Sequence, residues 1–180
     1  MLDLTSPVLI TGISPKSIGE GLALALAAHR PRLLILASRT LPKIQAVSRG
    51  IHKLHPRVKV QEVIVDLSSQ KSVRAAAESC KTIIGKGGSG LDVLFNNAGI
   101  NISERRLTEE GVELQFATNH LGPFLLTNLL LPLMNTASGG TRVINTSSEA
   151  HRISPVRFSD VSVDRETPAS AEQKFLSGDC

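Results

Sequence analysis

The stretch "TGISPKSIGEG", residues 11–21, joins two apolar segments of different character. It follows the run "PVLI", residues 7–10, and precedes the alanine- and leucine-rich run "LALALAA", residues 22–28. A short run that is apolar on both faces is typical of a central strand in a parallel sheet, and the second run is typical of a buried helix. The sequence therefore predicts a strand, a glycine-containing loop and a helix, which together open an α/β fold.

The rest of the chain continues this alternation of strands and helices. The predicted strands are 7–11, 33–37, 58–65, 91–99 and 141–148, and the predicted helices are 17–28, 42–55, 69–84 and 108–134. Pro123 either bends the last helix or starts a second helical segment. We therefore expect a doubly wound, Rossmann-like parallel sheet with strand order 3-2-1-4-5 and right-handed crossovers. Ligands of such sheets bind at the carboxyl ends of the strands, where the order reverses beside strand one, so residues 11–21 lie at the expected site.

The chain has the size of a single domain. Its 180 residues are 41% hydrophobic, which is enough to bury one substantial core. We expect a dinucleotide-binding domain over residues 1–150. Residues 151–180 are mostly polar and lack a helical stripe, so we expect an extended, irregular tail.

Composition disfavours several classes of function. The formal net charge is only +4, the basic residues are scattered among acidic ones, and Trp and Tyr are absent, so a nucleic-acid partner is not expected. Cys80 and Cys180 form neither a metal-ligand spacing nor a disulfide framework. The first residues lack the pattern of a secretory signal, and the longest apolar stretch, 121–134, is too short to span a membrane. We expect a cytoplasmic protein without a metal or a membrane partner, acting on a small-molecule substrate.

A strand, glycine loop and helix in this order can bind pyrophosphate. Small residues let the backbone approach the ligand, and the helix N-terminus supplies free N–H groups and a positive dipole end. We expect Gly12 to form the tight turn and Gly19 the close approach. Ser17 either caps the helix or donates to a phosphate. A purely structural glycine turn is the alternative.

The residues after strand two bear on the choice of dinucleotide. An acidic residue there would bind a free ribose 2′-hydroxyl, whereas an arginine accommodates a 2′-phosphate. Arg39 offers a planar fork of donors, and Ser38 can add a hydroxyl. The sequence therefore favours NADP(H) over NAD(H), with a solvated arginine as the alternative.

Six ordered motifs carry a resemblance to a known family. In chain order they are "TGISPKSIGEG" (11–21), "ASRT" (37–40), "VDLSS" (65–69), "NNAG" (96–99), "NHLGPFLLT" (119–127) and "RVINTSS" (142–148). From about Pro7 to about Asp160 the chain resembles the short-chain dehydrogenases/reductases, and in particular their retinol-dehydrogenase-like branch. The glycine motif is one residue longer than the family pattern, and Ser17 stands where the middle glycine usually is. The resemblance implies an NADP(H)-dependent oxidoreductase acting on an alcohol or a ketone.

The resemblance assigns cofactor contacts along the carboxyl edge of the sheet. Ile18 belongs to the cofactor site with the glycine loop. Asp66 and Leu67 would contact the adenine ring, with a helix N-cap as the alternative role of Asp66. The "NNAG" motif would form a wall beside the cofactor ribose and steady the central strand; its members are Asn96, Asn97, Ala98 and Gly99.

The resemblance also assigns two residues to the reaction. Ser148 would hydrogen-bond the substrate carbonyl or hydroxyl, and Ser147 is the less favoured neighbour. Asn119 would hold a water in the proton-relay path, with a locally bonded mid-helix asparagine as the alternative. His151 is expected to serve loop structure rather than to act as a base.

The proton donor of the family is missing. The family uses Tyr-x-x-x-Lys on a helix that follows strand five, but these 180 residues contain no tyrosine, and Ser170 stands four residues before Lys174. The resemblance implies a chain truncated before the catalytic helix, with an exposed edge at strand five. A homo-oligomer or a completing polypeptide could cover that edge. An inactive nucleotide-binding chain, or an interaction protein that uses the edge, are therefore the alternatives to an active enzyme.

Overall fold

The five strands form one parallel sheet. The computed structural model describes residues 7–86, 90–134, 140–152 and Phe158. The strands are β1 Pro7–Thr11, β2 Leu33–Ser38, β3 Val60–Ile64, β4 Val93–Asn96 and β5 Arg142–Asn145. Their order across the sheet is β3-β2-β1-β4-β5, and every pairing is parallel. The predicted doubly wound order is therefore confirmed.

Helices connect the strands on both faces of the sheet. The α-helices are α1 Ile18–Ala28, α2 Leu41–Leu54, α3 Gln70–Gly85, α4 Leu114–Phe116 and α5 Gly122–Leu130. A π-helical segment, Ala117–Leu121, joins α4 to α5, and 3₁₀ turns occupy Leu131–Leu133 and Glu149–Arg152. None of the helices in the described segments combines the length and hydropathy that crossing a membrane requires.

The sheet separates two apolar cores. Leu9 and Ile35 face α3 and α5, whereas Val8, Ile10 and Leu34 face α1 and α2. Because successive strand side chains point to opposite faces, a strand buried on both faces is apolar at nearly every position. All five residues of β1 are buried, as the central place of this strand requires.

Two serines fix the starts of α1 and α3. Ser17 accepts a hydrogen bond from the Glu20 amide, and Ser69 accepts one from the Ser72 amide. Each hydroxyl therefore satisfies one of the free amides of a first helical turn. The helix that follows β3 is capped by Ser69, so the alternative capping role predicted for Asp66 is wrong.

Several predicted element boundaries differ from the structure, among them those of strand four, which was expected over 91–99 and covers Val93–Asn96. Strand three was expected over 58–65 and strand five over 141–148, but their ladders cover only Val60–Ile64 and Arg142–Asn145. The predicted helix over 108–134 begins at Leu114. Gly111 adopts φ +77°, in the left-handed region, and ends a turn in which its amide donates to the Thr108 carbonyl. Glu113 then caps the helix through the amides of Gln115 and Phe116.

The last predicted helix is divided into two segments near Pro123, which is the second of the two alternatives that the sequence offered. Proline lacks an amide proton and therefore cannot continue the hydrogen-bond ladder, but it is accepted in a first turn. Pro123 lies in the first turn of α5, directly after the π-helical segment. The structure thus shows a second segment.

Gly122 permits close packing of α5 against the loop after β3. A β-carbon added to Gly122 would lie 2.2 Å from the Leu67 carbonyl oxygen and 2.8 Å from the Leu67 Cβ. Contacts this short require the backbone to move. The position of Leu67 therefore depends on the absence of a side chain at residue 122.

We expect Gly122→Ala to lower the free energy of unfolding by about 1–3 kcal/mol, because the added methyl overpacks a rigid contact. Gly50→Ala is the matched control, since Gly50 lies inside α2 with nothing within 4 Å of the added carbon. That substitution should stabilise the protein by about 0.5–1 kcal/mol through helix propensity. Urea denaturation measures both values, and equal effects would contradict the packing account.

Cys80 lies on the buried face of α3, in the core, and is 1% exposed. Desolvation by burial raises the pKa of its thiol to about 12. Because the unfolded thiol has a pKa of about 8.5, the folded protein retains a proton that the unfolded chain loses. The contribution of this group to stability is complete below pH 8.5 and is lost as the pH rises towards 12.

In a Cys180→Ser variant, whose remaining thiol is Cys80, we expect aromatic disulfide reagents to label the native protein far more slowly than the urea-unfolded protein at pH 8. Burial and the raised pKa both remove the reactive thiolate. Labelling of the native protein as fast as the unfolded chain would contradict the placement of Cys80 in the core.

Candidate functional site

Two adjoining cavities open at the carboxyl ends of the strands. The first cavity, of about 340 Å³, lies between the loops after β1, β2, β3 and β4. The second cavity, of about 880 Å³, lies between the loop after β4, the π-helical segment, α5 and β5. They share a wall that consists of Ile18, Asn97, Ala98, Gly99, Ile100 and Thr146. A ligand longer than one cavity could therefore pass from the first to the second.

Gly12 forms the turn that brings the loops after β1 and β4 together. Its φ of +78° lies in the left-handed region, which favours glycine. A β-carbon added at residue 12 would lie 2.6 Å from the Ala98 Cα. The tight turn expected at Gly12 is thus required by both backbone conformation and space.

Gly19 is needed for contact with the chain's own backbone. A β-carbon added there would lie 2.5 Å from the Gly12 carbonyl oxygen. The close approach expected at Gly19 is therefore one between α1 and the loop that precedes it. Ser17, the N-cap of α1, also donates to the Ser14 carbonyl oxygen at 2.7 Å. Gly12, Ser17 and Gly19 all line the first cavity.

Thr11 and Asn97 join the two central loops by hydrogen bonds. The buried Thr11 hydroxyl donates to the Phe95 carbonyl and accepts from the amides of Asn97 and Ala98. The Asn97 side-chain amide donates to the Thr11 carbonyl oxygen at 2.9 Å. These bonds cross the point where the strand order reverses. Thr11 was not assigned a role from sequence, because a threonine at the end of a strand is common.

The outer end of the first cavity is basic. Arg39 and Lys43 line it together with Ser38 and Thr40. Arg39 and Thr40 follow β2, and Lys43 lies in the first turn of α2. No acidic side chain is among the described residues that line this cavity. Its electrostatic character therefore suits an anionic group.

Leu67 and Asp66 do not share one environment. Leu67 is buried and lines the first cavity, whereas Asp66 is not one of the lining residues. The Asp66 carboxylate accepts hydrogen bonds from the amide and the hydroxyl of Ser68, at 2.9 and 2.6 Å. In the structure Asp66 thus holds the turn before α3, and the predicted adenine contact of this residue stays a prediction.

The four residues of the "NNAG" motif are divided between the two cavities. Asn97, Ala98 and Gly99 form part of the shared wall, while Asn96 lines only the second cavity. The Asn96 side-chain nitrogen donates to Thr127 Oγ1 and Asn145 Oδ1, at 3.0 and 2.9 Å. These two bonds connect β4 to α5 and β5. The Asn96 Oδ1 is a buried acceptor for which the described residues supply no donor.

Asn119 lies in the π-helical segment and lines the second cavity. Its side-chain oxygen accepts from the Ile100 amide and its side-chain nitrogen donates to the Ile100 carbonyl, both at 2.8 Å. The asparagine is thus bonded to a loop 19 residues away rather than locally. π-helical insertions are frequent at functional sites. The pair of bonds fixes the distance between the loop after β4 and the helix.

Ser148 and Ser147 lie on the far wall of the second cavity. The Ser148 hydroxyl accepts from the Ala150 amide at 3.2 Å, and the Ser148 carbonyl accepts from the His151 amide. The His151 ring nitrogen Nδ1 also contacts that carbonyl. The structure thus places His151 in the turn after β5. Residues 170, 174 and 180 lie outside the described residues.

Several residues of the site were missed by sequence reasoning. They are Ser14, Thr40, Lys43, Val65, Ile100, Thr118 and Thr146. Most of them lie one to four residues from a predicted site residue, so their presence could be expected once strand order was known. Thr118, in the π-helical segment, lies one residue before Asn119. No group of three or more metal-ligating side chains occurs within the described part of the chain.

Comparison with known proteins supports one family. Residues 6–159 match the profile of the family described as short chain dehydrogenase. Oxidoreductase fscI of Fusarium equiseti is 38% identical over 156 residues, which cover 84% of this chain and 59% of that protein. Retinol dehydrogenase 13 of Mus musculus is 40% identical over 156 residues, which cover 86% of this chain and 44% of that protein.

A solved structure agrees in fold. A metagenomic short-chain oxidoreductase in complex with NADP is 27% identical and superposes with a TM-score of 0.69, over 97% of this chain and 73% of that one. The chain spans about half the length of the curated relatives described above. Profile, relatives and fold agree over nearly all of the described residues, and the chain therefore belongs to the short-chain dehydrogenase family.

Proposed function

We propose that these residues form the cofactor-binding part of an NADP(H)-dependent oxidoreductase that acts on an alcohol or a ketone. The observation that carries the proposal is the first cavity, where the Gly12 turn, the N-terminus of α1 and the Arg39 side chain line one space. The relative that was solved with NADP supports the choice of cofactor. The similarity to that structure extends over 97% of this chain.

The residues present fit a phosphorylated dinucleotide. A β-carbon at Gly12 or Gly19 would collide with backbone atoms, so these two positions of the loop require glycine. The N-terminus of α1 at the same cavity favours an anion such as pyrophosphate. Arg39 at the outer end can bind a 2′-phosphate in a bidentate manner. The shared wall at Ala98 and Gly99 leads from this cavity to the second one.

The cofactor, when bound, would supply or accept a hydride at the substrate carbon. The protein residues then have to orient the substrate and exclude water. In this proposal the Ser148 hydroxyl donates its proton to the substrate oxygen in the second cavity, while a lone pair of the same hydroxyl still accepts from the Ala150 amide. Asn119 keeps the loop at Ile100 in place and so maintains the shared wall.

The second candidate function is nucleotide binding without turnover. It is favoured by one observation, that tyrosine does not occur among the 180 residues. Proton transfer to or from the reacting oxygen contributes about 10²–10⁴-fold to such reactions. Serine is a far poorer proton donor than an activated tyrosine, so these residues alone offer binding and orientation.

We expect Arg39→Asp to weaken NADPH binding about 100-fold, equal to about 2.7 kcal/mol, because a charge-assisted bond is replaced by repulsion of the 2′-phosphate. NADH binding should change less than about threefold, since its adenosine ribose carries no phosphate. Titration calorimetry measures both. Arg49→Asp, on the exposed face of α2, makes the same charge change away from the cavity and should leave both affinities unaltered. Equal losses for the two cofactors would contradict the assignment to NADP(H).

Turnover of a carbonyl panel with NADPH separates the two candidate functions. If the chain is active, we expect saturable oxidation of NADPH that Ser148→Ala reduces by at least about 100-fold, because the substrate oxygen loses its donor. Ser147→Ala is the matched control and should retain activity. NADPH binding without oxidation across the panel would favour the binding function.

A further inference from the structure

A third cavity lies at the amino ends of the strands, opposite the first two. It is bounded by the first residues of β1, β2 and β3 and by the last turns of α2 and α3, and we call it the amino-end cavity. Because β2 has six residues, the two ends of the strands are about 20 Å apart. The volume of about 680 Å³ lies within the range of about 300–1,000 Å³ that is usual for small-molecule sites.

The wall of the amino-end cavity is basic. Arg57 and Lys59 line it from the loop between α2 and β3, and Lys86 lines it from the end of α3. All three residues are exposed, and none of them forms an ion pair within the described part of the chain. No aspartate or glutamate is among the described residues that line this cavity. An anionic ligand would therefore meet three unpaired positive charges.

The rest of the wall is largely apolar. Val58 and Ile84 are buried at its base, and Leu33, Val60 and Ile83 are half-buried beside them. Small-molecule sites typically combine such an apolar surface with a few polar or charged groups that orient the ligand. The lining therefore suits a ligand that has an apolar part as well as an anionic one.

The backbone that carries two of the cations is fixed to the sheet and to α2. Val58 lies between Arg57 and Lys59 and packs in the core with α1 and α2. Its amide donates to the His55 carbonyl at 3.0 Å, and the Lys59 carbonyl accepts from the Leu34 amide at 2.9 Å. The positions of Arg57 and Lys59 on the cavity wall are therefore set by the fold.

The ends of α2 and α3 account for only part of the positive charge. Each helix C-terminus carries about −0.5 charge, and basic residues nearby are often explained by that dipole alone. The two helix ends together offset about one of the three cations, which leaves a surplus of about two positive charges. Arg32 also lines the cavity and Asp92 adjoins it at Pro7, but each interacts with another group of the protein, so neither charge is counted.

A phosphomonoester matches this surplus. At pH 7 such a group carries about −1.5 to −2 charges, and its oxygens accept charge-assisted hydrogen bonds from arginine and lysine. A carboxylate or a sulfonate carries a single negative charge and would leave about one cation uncompensated.

We propose that the amino-end cavity is a second ligand site, which binds a phosphomonoester with an apolar substituent. Arg57, Lys59 and Lys86 bind the phosphate oxygens, and the substituent lies on the apolar wall. The cavity shares no lining residue with the first or the second cavity, so this site is separate from the proposed cofactor site. Both a free phosphorylated molecule and the headgroup of phosphatidic acid carry this chemistry.

Titration with phenyl phosphate, followed by the amide resonances of the chain, tests the site. We expect the resonances of Val58, Lys59 and Lys86 to shift in a saturable manner with one dissociation constant. Benzenesulfonate has a similar ring but one negative charge, so it should bind at least about tenfold more weakly. The absence of a saturable shift at these three amides, or equal affinity for the two compounds, would overturn the proposal.

The double variant Arg57→Met/Lys59→Met should weaken phenyl phosphate binding about 100-fold, which is about tenfold for each charge-assisted contact. Lys53→Met is the matched control, because Lys53 is exposed in the last turn of α2 and does not line the cavity. It should leave the affinity unaltered. The double variant should also give the same NADPH titration as the wild type, since neither residue lines the first cavity. Unaltered phenyl phosphate binding in a double variant that melts like the wild type would contradict the site.

Sedimentation with phosphatidylcholine vesicles, with and without phosphatidic acid, distinguishes the two sources of the phosphate. If the ligand is the headgroup, the wild type should sediment with the vesicles that contain phosphatidic acid, and the double variant should not. If the ligand is a free molecule, phenyl phosphate should bind and neither protein should sediment. Either result supports the phosphomonoester site, provided that the phenyl phosphate titration saturates.

Discussion

The contact between the loops after β1 and β4 is the constraint on which the site depends. The two backbones approach so closely that a single methyl at residue 12 would lie 2.6 Å from the Ala98 Cα. The Thr11 hydroxyl and the Asn97 amide bridge the same gap with four hydrogen bonds that are 2.9–3.2 Å long. Because these polar groups are largely buried, breaking any one of them would leave a partner unsatisfied. The floor of the first cavity is rigid for this reason.

Other close contacts extend this rigidity outward. Gly122 lets α5 rest on the carbonyl of Leu67, which lines the first cavity. Asn119 holds the loop at Ile100 by two bonds, and Asn96 connects β4 to β5 through Asn145. Each of these residues acts between elements that are distant in sequence. The shape of the cavities therefore depends on backbone positions. Hydrogen bonds from polar side chains fix some of these positions, and close contacts at glycines fix the others.

Local sequence patterns predicted much of the fold. The central strands are apolar at consecutive positions, and Ser17 and Ser69 stand where helices begin, so strand order and most helix starts could be derived. The start of the long helix could not, because Thr108 and the two glutamates after it resemble an N-terminus. The left-handed Gly111 and the capping Glu113 decide that boundary instead. The π-helical segment, Ala117–Leu121, was also not predicted from the sequence.

Site residues could be predicted from the sequence where they follow the end of a predicted strand. Gly12, Arg39 and Ala98 all follow strands whose order could be inferred, and the structure gathers them around one cavity. Asp66 shows the limit of this reasoning, because its carboxylate is turned to Ser68 by a local bond that spacing does not reveal. Lys43 was missed for a related reason. Lys43 is exposed, like most lysines near the start of a helix, and only the three-dimensional structure shows that it lines the same cavity as Arg39.

The 180 residues contain no tyrosine. The described residues supply a rigid cavity, two free cations at its outer end and a serine on the neighbouring wall. A crystal structure of the chain with NADPH tests the central claim most directly. The account predicts the pyrophosphate beside Gly12 and the start of α1, and the 2′-phosphate within hydrogen-bond distance of Arg39. NADPH bound elsewhere, or with its 2′-phosphate directed away from Arg39, would contradict it.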